Sequence, residues 1–241
     1  MLDRQKINHK KYDVAIIGSG GAALSAAIKL AAENLKVAII SKVEPKRSHT
    51  SAAQGGINAI FGNVVADKEE WLIYDTIKAS DYLADQDSVE LMCARANRAV
   101  TNLADMGVGF TRNPDGTIYQ RKYGGQSLNF GAGGFAYRSC SVFDKTGSEI
   151  MEVLFNKAKN LSVDFFAEVF VLDLILENNQ ARGLFAFDLK NKQFICYQAN
   201  NIIIASGGYA GIYKTNTAAN LCTGDGVALA LKNNILSLIH I

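Results

Sequence analysis

A histidine among hydroxyl residues and glycines is the segment of this sequence best suited to carry chemistry. The residues around His49 are Ser48, Thr50, Ser51, Gln54, Gly55 and Gly56. A neutral imidazole nitrogen can attack an electrophilic carbon, nearby hydroxyls and amides can orient the ring, and paired glycines let the backbone lie against a flat ring system. A surface histidine without a role is the alternative, but the segment as a whole favours a binding site.

A phosphate-binding turn precedes this histidine by about one βαβ half-unit. In Gly18-x-Gly20-x-x-Ala23, the first glycine permits a tight turn, the second lets the backbone approach a pyrophosphate, and the alanine lets helix and strand pack closely. The helix that follows offers N–H groups and a positive dipole end to the phosphates. The other residues of this predicted site are Ser19, Gly21 and Ala22. An incidental glycine-rich turn is the alternative.

The end of the second predicted strand argues against an ordinary NAD site. The acidic residue that binds the ribose is expected about 20 residues after the turn, but the strand ends in Ser41-Lys42 and Glu44 lies too far along. This pattern favours a flavin dinucleotide, FAD, with Ser41 and Lys42 at its adenosine end.

Two later segments are typical of flavoproteins. A buried strand ends in Ala205-Ser206-Gly207-Gly208, whose glycines are predicted to pass close to the cofactor. Asp225 begins a helix and is predicted to meet the ribityl hydroxyls, a role compatible with a plain helix cap. Val169 is also predicted to contact the cofactor. The segment 119–127 suits a loop closing over a flat ligand and a structural loop equally well.

The periodicity of the chain predicts the elements that position these residues. Buried parallel strands are predicted at Tyr12–Ile17, Val37–Ser41 and Asn201–Ser206. Helices are predicted at Ala22–Glu33, Lys68–Ala84, Asp87–Met106 and Thr146–Asn160. Antiparallel strands are predicted at Val163–Glu168, Val169–Glu177, Gly183–Leu189 and Gln193–Gln198. The expected fold is α/β: a Rossmann-like FAD-binding domain with a parallel sheet and an inserted antiparallel β-meander.

Composition excludes several classes of function. The net charge is +2 with dispersed basic residues, so there is no electrostatic footprint for nucleic acid. The four cysteines show no metal-binding spacing and are expected to be reduced, packed thiols. No metal site is predicted. The polar first residues lack a secretory signal, and no apolar run is long enough to span a bilayer, so any membrane role is expected to come through partners.

Five segments resemble the flavoprotein subunits of the succinate dehydrogenase/fumarate reductase family. They read SKVEPKRSHTSAAQGGINA, IYQRKYGGQS, FDKTG, IIIASGGY and CTGDG. The resemblance implies FAD bonded to His49 and a dicarboxylate substrate, succinate, oxidised to fumarate. It also implies an iron–sulfur subunit, membrane-anchor subunits and quinone as partners, at the cytoplasmic face of a bacterial inner membrane or the mitochondrial matrix face. Gln54 favours the dehydrogenase branch, since fumarate reductases often have Glu there.

The chain departs from the family in three ways. Ser206 replaces the usual Thr, and Ser148 stands where many relatives have His. The Phe-His-Pro-Thr-Gly segment, the capping domain and the late Arg/His pair of the family are not found, so no catalytic residue is assigned. We expect a polar tail (1–11), an incomplete FAD-binding domain (12–236) and a tail unlike the family (237–241), and no succinate oxidation by these residues alone. A fumarate reductase flavoprotein and a free-standing FAD-binding module are the alternatives.

Overall fold

A computed structural model of the protein describes residues 7–235. Its strands are β1 (Asn8–Ile17), β2 (Val37–Ile40), β3 (Ile57–Asn58), β4 (Gln120–Ser127), β5 (Phe135–Cys140), β6 (Asp164–Phe166), β7 (Val169–Glu177), β8 (Gln180–Asp188) and β9 (Gln193–Ile204). Its helices are α1 (Gly21–Ala32), α2 (Glu69–Ala79), α3 (Gln86–Asp105), α4 (Thr146–Asn160) and α5 (Asp225–Lys232). The chain divides into two compact units, one of residues 1–52 and 151–241, the other of residues 53–150.

The first unit is built on a six-stranded sheet with the order β6-β2-β1-β9-β8-β7. β1 pairs in parallel with β2 on one side and with β9 on the other, with Val14 opposite both Val37 and Asn201. The three strands predicted from apolar runs therefore lie in one sheet, with the first two adjacent, as expected. The α/β fold class with its mostly parallel sheet is confirmed.

The antiparallel part of this sheet differs in detail from the prediction. β7, β8 and β9 form the expected meander, but β9 is one continuous strand where two were predicted. The segment predicted as the first meander strand, Val163–Glu168, contributes β6, which pairs in parallel with β2 at the edge of the sheet. That prediction was wrong because a short apolar run does not reveal the direction of its partner strand.

One hydrophobic core of this unit combines residues of the parallel strands, the meander and α5. Its members include Ala15 and Ile40 from the parallel strands, Leu184 and Tyr197 from the meander, and Leu229 from α5. α1 buries a stripe of residues at helical spacing: Ala23, Leu24, Ala27 and Ile28. α4 has the bounds predicted from its apolar spacing.

The second unit contains α2, α3 and a three-stranded antiparallel sheet with the order β3-β5-β4. The two helices meet around Leu72, Val89 and Cys93, and Asp85 caps α3 by accepting a hydrogen bond from the Ser88 N–H at 2.8 Å. The segment 119–127, ambiguous as a sequence, is largely β4. Its glycines and charged residues show no alternation of apolar and polar positions, because the strand is stabilised by main-chain pairing and not by side-chain burial.

A fully buried arginine organises this second unit. The Arg138 guanidinium donates to both carboxylate oxygens of Asp67, at 2.7 and 2.8 Å, and to Asp75 at 2.6 Å. Burial alone would lower the pKa of Arg138, but the two carboxylates outweigh it and the pKa lies above its usual value. Asp75 also accepts from the Ser127 N–H and hydroxyl, at 2.7 and 2.6 Å. The network joins α2 to both longer strands of the sheet.

All four cysteines are buried and free, as expected for packed thiols. Burial raises the pKa of the Cys140 thiol to about 12, so it stays protonated at neutral pH. Within residues 7–235, no helix is both long enough and apolar enough to cross a bilayer, and no cluster of metal-ligating side chains is found.

Candidate functional site

The glycine turn lies between β1 and α1, where the motif requires it. Gly18 has a φ of +106°, and a Cβ there would lie 2.2 Å from the Ala205 carbonyl oxygen. Gly20 precedes α1 as its N-cap and supplies no side-chain cap. The Gly21 N–H donates to Thr50 Oγ1 at 3.2 Å. The turn therefore places the N-terminus of α1, whose N-cap glycine has no side chain, beside the segment that carries His49.

The end of β2 brings Ser41 and Lys42 to the same place. The Ser41 and Ser19 hydroxyls are hydrogen-bonded at 2.8 Å and both are buried, which ties β2 to the turn. The Lys42 ammonium donates to Asp225 and to Thr223 Oγ1, at 2.5 Å each. The Lys42 charge is thus paired with Asp225 at the start of α5. The residue predicted for the adenosine end of FAD therefore forms an ion pair with the residue predicted for the ribityl hydroxyls.

His49 is exposed and begins a short 3₁₀-helix, His49–Ala52. Its Nδ1 accepts a hydrogen bond from the main-chain N–H of Ala219 at 3.1 Å. Beside it, the Ser51 hydroxyl donates to the Lys46 carbonyl at 2.6 Å. Lys46 in turn pairs with Glu152 of α4. The His49 ring is therefore held by the 210–222 segment, and the loop that carries it is held by the contacts of Ser51 and Lys46.

The segment after β9 closes the site from the sheet side. The Ala205 N–H donates to the Ile17 carbonyl at 2.8 Å, which extends the β1–β9 ladder up to the glycine turn. The Ser206 hydroxyl accepts from the Gly226 N–H at 3.1 Å. A hydroxyl at position 206 thus satisfies a donor in the first turn of α5, a role that Thr would also fill.

These segments line one pocket of the first unit. The predicted site residues that line it are Gly18, Ser19, Gly20, Ser41, Lys42, Ser48, His49, Thr50, Val169, Ala205, Ser206, Gly207 and Asp225. The predicted residues of the same unit that do not line it are Gly21, Ala22, Ala23, Ser51 and Gly208. Ala23 is instead fully buried in α1, in the packing role that its motif assigns to it.

Sequence reasoning missed part of this pocket. The missed lining residues include Ile17, Ile40, Val43, Phe170, Val171, Leu221, Cys222 and Leu229. Most are apolar and follow or precede predicted residues by one or two positions, which was the available signal. Ala219 could not be found from sequence, because its contribution is a main-chain N–H.

Gln54, Gly55 and Gly56 belong to the second unit and are held there by its own side chains. The Gly55 carbonyl accepts from Arg121 and from the Ser139 hydroxyl, at 2.7 Å each. A Cβ on Gly55 would lie 3.3 Å from the Tyr123 ring. Within this unit, the flat group against the glycine pair is therefore a tyrosine, and contact of these residues with a cofactor stays a prediction.

Comparison with known proteins identifies the family to which the chain belongs. The family described as FAD binding domain matches residues 13–238. The chain is 44% identical over 232 residues to the succinate dehydrogenase flavoprotein subunit of Rickettsia bellii, and 45% identical over 222 residues to the mitochondrial one of Oryza sativa subsp. japonica. These matches cover 96% and 92% of this chain, and 39% and 35% of the relatives.

Solved structures agree with the sequence matches. The quinol fumarate reductase of E. coli superposes with a TM-score of 0.83 and 33% identity, over 94% of this chain and 37% of that chain. The Sdh1 complex of Mycobacterium smegmatis gives 0.85 and 30%, over 94% of this chain and 39% of that one. This chain thus spans about two fifths of the length of the relatives that it matches.

Proposed function

Because this chain belongs to the FAD binding domain family, whose cofactor is FAD, we propose that it is the cofactor-binding part of a succinate-oxidising flavoprotein subunit. In this proposal FAD is bonded covalently to His49. Electrons pass to an iron–sulfur subunit and then to quinone, through partners anchored in the membrane. The activity and the partners belong to a protein longer than the matched region, as in the relatives.

The residues of the pocket fit FAD. α1 begins without a side-chain cap, so N–H groups of its first turn are available to a pyrophosphate. A Cβ on Gly20 would fill the gap toward Ser48 and Thr50, at 3.7 and 3.5 Å.

We propose that each wall of the pocket binds a different part of FAD. We assign the pyrophosphate to Gly18–Ala23, the adenosine end to Ser41 and Lys42, and the ribityl hydroxyls to Asp225. The Lys42–Asp225 ion pair at 2.5 Å keeps the Asp225 charge balanced in the same pocket as a phosphate anion. The Ser19–Ser41 hydrogen bond fixes the β2 end against the turn, so the two walls are set before FAD arrives.

The observation that carries the proposal is that His49 lines the same pocket as the dinucleotide turn. A bound FAD supplies a two-electron acceptor, which takes a hydride from a C–H bond of the substrate. Succinate is a weak reductant, so its oxidation needs a flavin of raised potential. A nitrogen substituent on the flavin 8α carbon withdraws electron density, and in this proposal His49 provides it.

The names of the relatives support the remaining parts of the proposal. Those from Rickettsia bellii and Oryza sativa are succinate dehydrogenase flavoprotein subunits, the latter mitochondrial and acting with ubiquinone. By analogy we propose a location at a membrane surface, the cytoplasmic face in bacteria or the matrix face in mitochondria. We assign no proton-transfer residue within residues 7–235.

The experiment that tests the proposal is replacement of His49 in the protein as its gene encodes it. His49→Ser should leave FAD bound without a covalent bond and lower succinate oxidation more than fumarate reduction. The measurements are the flavin retained after acid precipitation and dye-coupled rates in both directions. His9→Ser, at an exposed position of β1, is the matched control. Release of all flavin from the acid-precipitated parent protein would refute the covalent bond.

A fumarate reductase is the second candidate, because the E. coli quinol fumarate reductase superposes nearly as well as the Sdh1 complex. Gln54 favours the dehydrogenase. Dye-coupled assays distinguish the two: the proposal predicts that succinate oxidation exceeds fumarate reduction, and Gln54→Glu should shift the ratio toward fumarate reduction. A protein that binds FAD and supports neither direction would be a binding module only.

A further inference from the structure

We infer that Asp225, through its ion pair with Lys42, makes the adenosine end of the pocket select a dinucleotide whose ribose carries no 2′-phosphate. The ligands that this pair excludes are 2′-phosphorylated dinucleotides of the NADP type. The inference rests on the proposed function, because it takes Ser41 and Lys42 to face the adenosine. It makes Asp225 a specificity-determining residue, a role that the sequence motifs do not assign to it.

The end of the second strand is where a Rossmann-like site distinguishes the two kinds of ribose. An acidic residue there binds the free ribose hydroxyls, whereas a basic residue nearby accommodates a 2′-phosphate. In this chain β2 ends at Ile40 and is followed by Ser41 and Lys42. Taken alone, a hydroxyl and a cation at this place would favour the phosphorylated ribose, because a lysine ammonium is a common phosphate ligand.

The Lys42 ammonium is, however, already engaged within the protein. It lies 2.5 Å from one carboxylate oxygen of Asp225 and 2.5 Å from Thr223 Oγ1. The Thr223 hydroxyl donates to the other Asp225 oxygen at 2.9 Å. Two of the three N–H donors of Lys42 and both oxygens of the carboxylate are therefore used. Both charged side chains are 24% exposed, so the pair is partly shielded from water.

The Ser41 hydroxyl is engaged as well. It shares a hydrogen bond with the Ser19 hydroxyl at 2.8 Å and accepts from the Val43 N–H at 3.4 Å. Ser41 is also buried. The two side chains that would suggest a phosphate ligand at the end of β2 are therefore both held by neighbouring residues of the same unit.

The charges that line the pocket cancel one another. Among the described residues that line it, Lys42 and Asp225 are the acidic and basic ones, His49 aside. A 2′-phosphate would bring a charge of about −1.5 to −2 beside the carboxylate, and the cation that could balance it is already paired. A ribose hydroxyl brings no charge. The pair therefore discriminates by repelling the phosphorylated ligand, a common source of specificity.

Ligand titrations of charge variants test the inference. We use the protein as its gene encodes it, with His49→Ser so that FAD can be removed by dialysis, and titrate ADP-ribose and 2′-phospho-ADP-ribose by calorimetry. The two probes differ only in the 2′-phosphate, so the ratio of their Kd values isolates its effect. Asp225→Asn removes the negative charge and Lys42→Met the positive one. Glu177→Gln, at an exposed position of β7 outside the pocket lining, is the matched control.

The two pocket variants should change this ratio in opposite directions. The His49→Ser protein should bind 2′-phospho-ADP-ribose more weakly than ADP-ribose by about tenfold or more. Asp225→Asn leaves Lys42 free to bind the phosphate, so this preference should fall by about tenfold or more. Lys42→Met leaves the carboxylate unpaired, so the preference should rise. Glu177→Gln should not change it. A purely structural effect would weaken both ligands alike.

An unchanged preference in Asp225→Asn would overturn the inference, as would a preference that stays the same or falls in Lys42→Met. The second variant decides alone if the first does not fold. Binding of FAD without binding of ADP-ribose would also overturn it, while leaving the proposed function standing. A His49→Ser protein that binds neither FAD nor ADP-ribose would refute the proposed function, and the inference with it.

Discussion

At the scale of single residues, two glycines of the phosphate turn are needed for different reasons. Gly18 needs its hydrogen because its φ is +106° and a Cβ would collide with the Ala205 carbonyl, 2.2 Å away. Gly20 has a φ of −77°, which any residue adopts, and a Cβ there meets Thr50 Oγ1 at 3.5 Å. The first glycine is therefore required by the backbone, whereas the second has no such requirement and stays a prediction for ligand binding.

Alanine substitutions should separate these two requirements. Gly18→Ala should destabilise the protein by about 1–3 kcal/mol through backbone strain, with or without FAD. Gly20→Ala should leave the stability of the FAD-free protein within about 0.5 kcal/mol but weaken FAD binding, because its methyl group occupies the approach to the pyrophosphate. Urea denaturation and FAD titration measure the two effects. Equal loss of stability in both variants would contradict this division.

Site residues could be predicted from the sequence where their contribution depends on the residue type. His49, Gly18, Gly20 and Asp225 were found because their roles depend on residue type, and each lines the pocket. Ala219 was not found because its contribution is a main-chain N–H, which every residue except proline provides. The apolar wall was missed in part because its residues also serve the core.

At the scale of elements, the turn between β8 and β9 carries a pH-dependent contribution to stability. Burial would raise the pKa of the Asp188 carboxyl, but the N–H groups of Asn191 and Lys190 outweigh it and hold the pKa below its usual range. The main-chain bonds measure 2.8 and 3.0 Å. A lowered pKa means that the ionised form is the one that stabilises the turn.

The stabilisation should therefore be present above the ordinary Asp pKa of about 3.9 and be lost as the pH falls through the lower pKa of the folded state. Asp188→Asn should cost on the order of 1 kcal/mol at pH 7, and the difference from the parent protein should shrink toward zero as the carboxyl becomes protonated. Urea denaturation across this range measures it. A difference that does not change with pH would show that the charge has no part in it.

The limits of predicting these elements have physical causes. β1 begins at Asn8, although residues 8–11 are polar, because their main chain pairs with Ile195–Gln198 while the side chains are largely exposed. β4 was hidden for a similar reason. Conversely, α1 and α4 were predicted closely because their buried stripes repeat at helical spacing. Side-chain patterns report burial, and strands held mainly by main-chain pairing leave little pattern.

At the scale of the whole molecule, the stability of the unit of residues 53–150 depends on the fully buried charge of Arg138. Removing Arg138 would leave two nearly buried carboxylates, Asp67 and Asp75, without their partner. Arg138→Met should therefore destabilise the protein by about 3–5 kcal/mol. Arg98→Met, at an exposed position of α3, should change stability by less than about 0.5 kcal/mol. Thermal unfolding of both variants measures this, and equal melting temperatures would refute the role of the network.

The pairing of β1 with β9 has a consequence for synthesis of the protein on the ribosome. Val14 has Asn201 as its partner, so β1 leaves the exit tunnel long before β9 is translated. At about 5–20 residues per second, the delay is on the order of tens of seconds. During that time the apolar strand Val14–Ile17 has one unpaired edge, a template for aggregation. The nascent chain should therefore depend on a holding chaperone until β9 has been translated.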